Sequence, residues 1–130
     1  MNLELRTKFS CAHYYHNPEF SKQQNIEHFG KCYSEYGHGH DYELCVTFEI
    51  ISLDSVESQA KELRSYLREI HDHLDHQHLN KMIPYFQDCI PTTENLTKYC
   101  YLFLTEKAPH HKIKKVALFE RSDLWSELNF

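Results

Sequence analysis

The chain has 130 residues and a formal net charge of −5, a length that holds one domain, 1–130, and can bury a core without disulfide staples. Hydrophobic residues at 41% and charged residues at 25% fit a soluble globular protein and exclude a disordered one. The acidic balance, with a pI near 6.1, argues against nucleic-acid and membrane-surface partners, which want a basic face.

No apolar run nears the roughly 18 residues of a membrane span, and the opening MNLELRTKFS lacks a signal-peptide core. Five cysteines (Cys11, Cys32, Cys45, Cys89, Cys100) are spread widely with no CxxC pair, so a cytoplasmic chain with free thiols is expected. Cys45 and Cys100 fall in strand and helix patterns and read as small core hydrophobes.

Residues 2–10 set Leu3, Leu5 and Phe9 among polar neighbours, the pattern of a half-buried strand. Residues 14–37 are polar, aromatic and glycine-punctuated, and read as one long functional loop. The clearest strand is 42–50, from Tyr42 to Ile50, rich in β-branched and aromatic side chains. From Val56 the period changes. Val56, Ala60, Leu63, Leu67, Ile70 and Leu74 step by 4, 3, 4, 3 and 4, one apolar stripe on an amphipathic helix. Asp54 with Glu57 makes the expected capping box at its start. A second helix fits 93–107, capped by Thr93, with Leu96, Tyr99, Cys100 and Phe103 on its buried face and Pro109 ending it. Strands at 113–119 and 125–130 follow. The order ββααββ predicts an α+β fold, a four-stranded antiparallel sheet with two helices on one face. Such a sheet leaves its edges open, so association between copies is expected.

His38-Gly39-His40 leads into the best strand. Side chains at i and i+2 of a strand share a face, so both imidazoles can grip one metal, with Gly39 keeping bulk off the turn. His13 ends the first strand. If the two strands pair antiparallel it joins them, and three neutral imidazoles with an open fourth position make a catalytic zinc site. Cys32 lies six residues before His38, beside Lys31; a cation on either side lowers a thiol's pKa and suits it to act as base or nucleophile. Glu35 is a second candidate base. Asp75 and His76, on the exit from the first helix, can form an acid/base pair, while His71, His73 and His78 are expected to face solvent. Glu120 closes a mostly buried strand and needs a partner there. A 2-amino-4-oxopyrimidine ring, with adjacent N–H and NH₂ donors, is one that a carboxylate grips with two bonds.

The segment His71 to His76 contains an HxHxDH string that resembles the metal motif of the metallo-β-lactamase superfamily, over six residues only. That fold requires a longer chain, a preceding strand and further ligands, so the match reads as coincidence. A broader resemblance runs from Phe9 to about Arg121. It rests on Phe9-Ser10-Cys11-Ala12-His13, Phe29-Gly30-Lys31-Cys32 with Gly37-His38-Gly39-His40, Leu74-Asp75-His76-Gln77-His78-Leu79-Asn80, Pro91-Thr92-Thr93-Glu94-Asn95, and the strand ending in Glu120. These five motifs, in this order, resemble the 6-pyruvoyl- and 6-carboxy-tetrahydropterin synthase family.

The resemblance implies the tunnelling fold, with subunits joined into a barrel, a trimer or usually a hexamer, and active sites at subunit boundaries. It implies Zn2+ held by His13, His38 and His40, proton transfer by Cys32, Asp75 and His76, and a pterin ring held by Glu120 with Thr92 and Thr93 lining the pocket. The implied reaction is a lyase step on 7,8-dihydroneopterin triphosphate. The Cys32-to-His38 spacing is similar to that of the pyruvoyl-forming (biopterin) enzymes more than the carboxy-forming (queuosine-pathway) ones. Cys32 with Glu35 also matches members that release 6-hydroxymethyl-dihydropterin for folate. A non-catalytic pterin-binding module is the remaining alternative. The family's usual hairpin after the second strand is shortened here to Ile51-Ser52-Leu53-Asp54-Ser55-Val56.

Overall fold

The computed structural model describes residues 1–34 and 37–130. In chain order its elements are β1 (Asn2–His13), α1 (Lys22–Phe29), β2 (His38–Glu49), α2 (Val56–Leu74), β3 (Gln77–His78), α3 (Leu79–Met82), α4 (Thr93–Lys107), β4 (Ile113–Arg121) and β5 (Leu124–Asn129). The sheet runs β3-β1-β2-β4-β5. Its four long strands are antiparallel, in the α+β arrangement expected. The count differs: β3 adds a fifth, two-residue strand parallel to β1 at Cys11 and Ala12. It is too short to carry a period, and it forms because the chain leaving α2 turns back against β1, where His76 N–H donates to the Ser10 carbonyl at 2.6 Å.

Alternation divides β1 and β2 between two environments. Leu5, Phe9, Cys11 and His13 of β1, and Tyr42, Leu44, Val46 and Phe48 of β2, are buried. The intervening Glu4, Arg6, Lys8, Asp41 and Glu49 are exposed. The buried face is covered by α2 through Leu63, Leu67, Ile70 and Leu74 and by α4 through Leu96, Cys100 and Leu104, giving one continuous core. All five cysteines are free.

Local chemistry corrects three expectations. The first turn of α2 is reached through a 3-10 turn at 53–55, where Ser52 accepts from Asp54 N–H; Ser55 then precedes the helix without a side-chain cap, so no Asp54/Glu57 box forms. α4 is capped by Thr92, whose hydroxyl accepts from Asn95 N–H, and Thr93 is left for another use. The loop 14–37 contains α1, closed by a reciprocal Ser21/Gln24 capping box. Its only buried residue is Asn25, which accepts from Asn17 N–H and donates to the carbonyls of Asn17 and Ser21. A helix anchored by an amide has no apolar stripe for a periodicity argument to find.

After β2 the chain enters α2 directly, with no return strand between them. Residues 2–10 of β1 therefore pair on one side only, as does β5. Ile70 has no exposed surface, and Ile70→Ala is expected to lower unfolding free energy by about 2–5 kcal/mol in urea titrations. Leu102→Ala, on the exposed side of α4 at 44%, should change it by under about 0.5 kcal/mol.

Candidate metal centre and active site

The register of β1 on β2 builds the centre. His13 lies directly opposite His38, and Cys11 opposite His40, so all three imidazoles leave the same face. Their ring centroids are 4.7, 4.8 and 5.0 Å apart, and one nitrogen from each falls within 4.8 Å of the others, a group that could hold a metal ion. His13 Nε2 and His38 Nε2 are 3.2 Å apart. Burial, reinforced by its histidine neighbours, pushes the His13 pKa down to about 3, so the ring is neutral at working pH, as a ligand must be. His40 is lowered by burial too, against the opposing pull of Glu120.

The glycine that this entry requires is Gly37, not Gly39. Gly37 has φ of +79°, and a Cβ there would fall 2.7 Å from the His13 carbonyl oxygen and 2.8 Å from His78 Nε2. At Gly39 a Cβ would meet its nearest atom at 3.7 Å, an ordinary contact. His78 correspondingly does not face solvent: its ring lies 5.5 Å from that of Tyr14.

Glu120 sits at a register shift, where Phe119 pairs with Trp125 and Arg121 with Leu124. Such a bulge re-aims a side chain. The carboxylate lies 2.7 Å from His40 Nε2, and its second oxygen accepts from the Thr93 hydroxyl at 2.6 Å. The neighbouring Thr92 uses its hydroxyl for the α4 cap.

Cys32 is drawn toward this group by its backbone: its carbonyl accepts from Tyr15 N–H at 2.8 Å. Burial and the Glu120 carboxylate raise its thiol above the ordinary value. Lys31, whose side chain is exposed, does not offset burial and Glu120 at the sulfur. Glu35 lies outside the described residues.

Asp75 and His76 do form a pair, with Nδ1 at 2.7 Å from the carboxylate. Asp75 also accepts from Ser10 N–H at 2.8 Å, the main cause of its lowered pKa. His76 has an 84% exposed side chain and lines a cleft of about 380 Å³ whose wall includes Ser10, Cys11, Gly39, His40, Asp41 and His78. The HxHxDH string does not converge: His71 pairs with Asp72 and His73 with Tyr99. Among the described residues, His13, His38 and His40 form the sole cluster with metal-ligand spacing.

Residues 2–129 match the family model for 6-pyruvoyl tetrahydropterin synthase. The chain belongs to that family. It is 36% identical to the 6-pyruvoyl tetrahydrobiopterin synthase of Pongo abelii over 118 residues, covering 88% of this chain and 81% of that one. The Homo sapiens enzyme of that name is 35% identical over the same shares. The Caenorhabditis elegans 6-pyruvoyl tetrahydropterin synthase structure superposes with a TM-score of 0.91 at 27% identity, covering 100% of this chain and 95% of that one. A Plasmodium vivax structure of that name, with a TM-score of 0.61 at 17% identity, shares the fold. The chain is thus a lyase-type enzyme of the tetrahydropterin synthase family with its tunnelling fold.

Two members of the synthase site were not singled out from the sequence. Tyr15 places its ring 5.0 Å from His13, and its phenol is raised by burial, then by Glu120 and Cys32. Tyr42 Oη lies 3.0 Å from His13 Nδ1. Both stand two residues from a histidine, so the period-2 rule that grouped His38 with His40 extends to them.

Asp75 ties the end of α2 to β1, and its pKa in the folded chain lies below the ordinary 3.8. A depressed carboxylate stabilises the fold fully above its unfolded pKa and loses that contribution as pH falls through the folded one. Thermal melts of the wild type and Asp75→Asn should therefore differ at neutral pH and converge as the pH falls through the depressed carboxyl's range.

Proposed function

We propose that this synthase is zinc-dependent and acts on 7,8-dihydroneopterin triphosphate, releasing triphosphate to form 6-pyruvoyl-tetrahydropterin, in preference to the 6-carboxy product. The convergence of three imidazoles beside Glu120 carries this reading. His13, His38 and His40 would hold the ion. The His₃ donor set fits a catalytic zinc site, and the low pKa of His13 fits ligation at neutral pH. The pyruvoyl product is favoured because relatives at 35–36% identity carry that name. Five free thiols fit a reducing cytoplasm.

When bound, the ion supplies Lewis acidity toward the substrate's side-chain hydroxyls and a positive field opposing that of Glu120 at Cys32. The chain's own groups do the rest. Glu120, one oxygen steadied by Thr93, accepts from the pterin N–H and NH₂, with Thr92 and Thr93 at the pocket wall; each oxygen keeps a second lone pair for the ring. Cys32 as thiolate takes a proton from the side-chain carbon next to the ring. The electron pair moves into the adjoining ring C=N, which takes up a proton. Loss of the proton on the middle side-chain carbon then breaks the terminal C–O bond, and triphosphate leaves with that bond's electron pair. His76, balanced by Asp75 at 2.7 Å, carries the other proton.

Asp75 and His76 serve a neighbouring subunit's Cys32 in this reading. The 84% exposed side chain of His76 supports it, as do the half-paired β1 and β5, which suit a homo-oligomer closing its sheets into a barrel, a trimer or a hexamer. Cys32→Ala and His76→Ala should each lower turnover by roughly 100-fold or more, and mixed oligomers made by co-expression should regain activity. Failure of mixing to restore turnover places the whole site in one chain.

The products decide the chemistry. Zinc-loaded protein given dihydroneopterin triphosphate should release triphosphate and the pyruvoyl pterin, identified by mass spectrometry. Release of 6-hydroxymethyl-dihydropterin would assign the folate-type reaction and Glu35 as its base. Ring binding that survives Cys32→Ala, with no turnover in the wild type, would mark a non-catalytic module.

A further inference from the structure

His13 has no exposed surface and Tyr42 has 1%. A neutral imidazole carries one N–H and one lone pair, and neither is satisfied by water at that depth. Its two nitrogens face different partners. Nε2 points at His38 Nε2 across 3.2 Å, inside the three-imidazole cluster, whereas Nδ1 points at Tyr42 Oη across 3.0 Å. His38 differs: its Nδ1 finds no hydrogen-bond partner among the described residues.

Two tautomers of His13 are possible, and they have opposite consequences for a metal. With the proton on Nε2, the ring donates to His38 and accepts from the Tyr42 hydroxyl, and no lone pair is offered to an ion. With the proton on Nδ1, the ring donates to Tyr42 Oη and Nε2 is free to ligate. The second form needs a buried acceptor at Nδ1, since an N–H left there unpaired would be costly. The rotatable phenol hydroxyl is such an acceptor. Its position is fixed independently, because the Tyr42 ring stacks on Phe9 at 5.6 Å and 22°, and Tyr42 follows His40 on the same face of β2.

We propose that the buried Tyr42 hydroxyl holds His13 in the tautomer that leaves Nε2 free for a metal ion, making Tyr42 a positioning residue of the centre. This rests on the reading of the three histidines as a metal site. Ligating histidines commonly donate their second N–H to a fixed oxygen, and loss of that oxygen costs metal affinity. Here the oxygen comes from the strand that supplies two of the ligands. One β-strand thus sets the positions of His38 and His40 and the protonation of the third ring.

Tyr42→Phe removes one oxygen and keeps the stack on Phe9. In competition against a chromogenic chelator at neutral pH, the wild type should bind one zinc ion per chain, and Tyr42→Phe should bind it about 10- to 100-fold more weakly. Equal affinities overturn the proposal while leaving the metal site standing; a wild type that binds no zinc overturns the metal reading itself. A second measurement needs no variant. Imidazole nitrogen NMR of the zinc-loaded wild type should show His13 protonated at Nδ1, with a slowly exchanging proton. A His13 ring protonated at Nε2 overturns the proposal even if Tyr42→Phe fails to fold.

Discussion

The constraint on which the rest depends is the antiparallel register of β1 on β2. Pairing holds from Asn2 opposite Glu49 to His13 opposite His38. A slip of one residue would turn His13 to the other sheet face and carry Phe9 and Leu5 out of the core with it. The imidazole cluster is therefore specified by the same alternation that buries Tyr42, Leu44, Val46 and Phe48. Here folding stability and site geometry are one requirement. The hydrophobic face fixes the register, and the register brings His13 and His38 together at the end of the pair.

Glu120 is the electrostatic centre of that face. Its charge contributes to the raised thiols of Cys11 and Cys32 and the raised phenols of Tyr15 and Tyr42, and it opposes the lowering of His40. This enclosed carboxylate, with its side chain 9% exposed, accepts a hydrogen bond from the Thr93 hydroxyl on one oxygen and faces the His40 ring with the other. Thr93 is available because Thr92 takes the helix cap, so two adjacent threonines of one motif divide a structural and an electrostatic task.

The long elements were legible because their signals are periodic. The stripe from Val56 to Leu74 marks α2 to the residue, and the apolar alternation of 42–50 marks the body of β2. Strand pairing followed from that alternation, and with it the meeting of His13, His38 and His40. What escaped was held by polar groups or by the backbone. α1 hangs on Asn25, β3 has two residues, and Gly37 is fixed by crowding that arises only once His13 and His78 are in place. At Cys32 burial and Glu120, distant in sequence but close in space, raise the thiol, and the sequence neighbour Lys31 does not offset them. Charge neighbours across a sheet cannot be read from adjacency.

The Asp75–His76 pair is held by the backbone of β1. His76 has φ of +59°, and its backbone is clamped to Ser10 while Asp75 accepts from the Ser10 amide. Four residues after His76, Asn80 brackets Tyr14, accepting from its N–H and donating to its carbonyl, each at 2.9 Å. An amide side chain here does the work of a neighbouring strand, and it holds the chain straight beyond His13, where β1 ends. These bonds secure the turn after α2 along the edge of β1, between the buried Leu74 and Leu79, and leave His76 facing outward. The long, half-paired edge of β1 beside it is the surface along which a second subunit can approach.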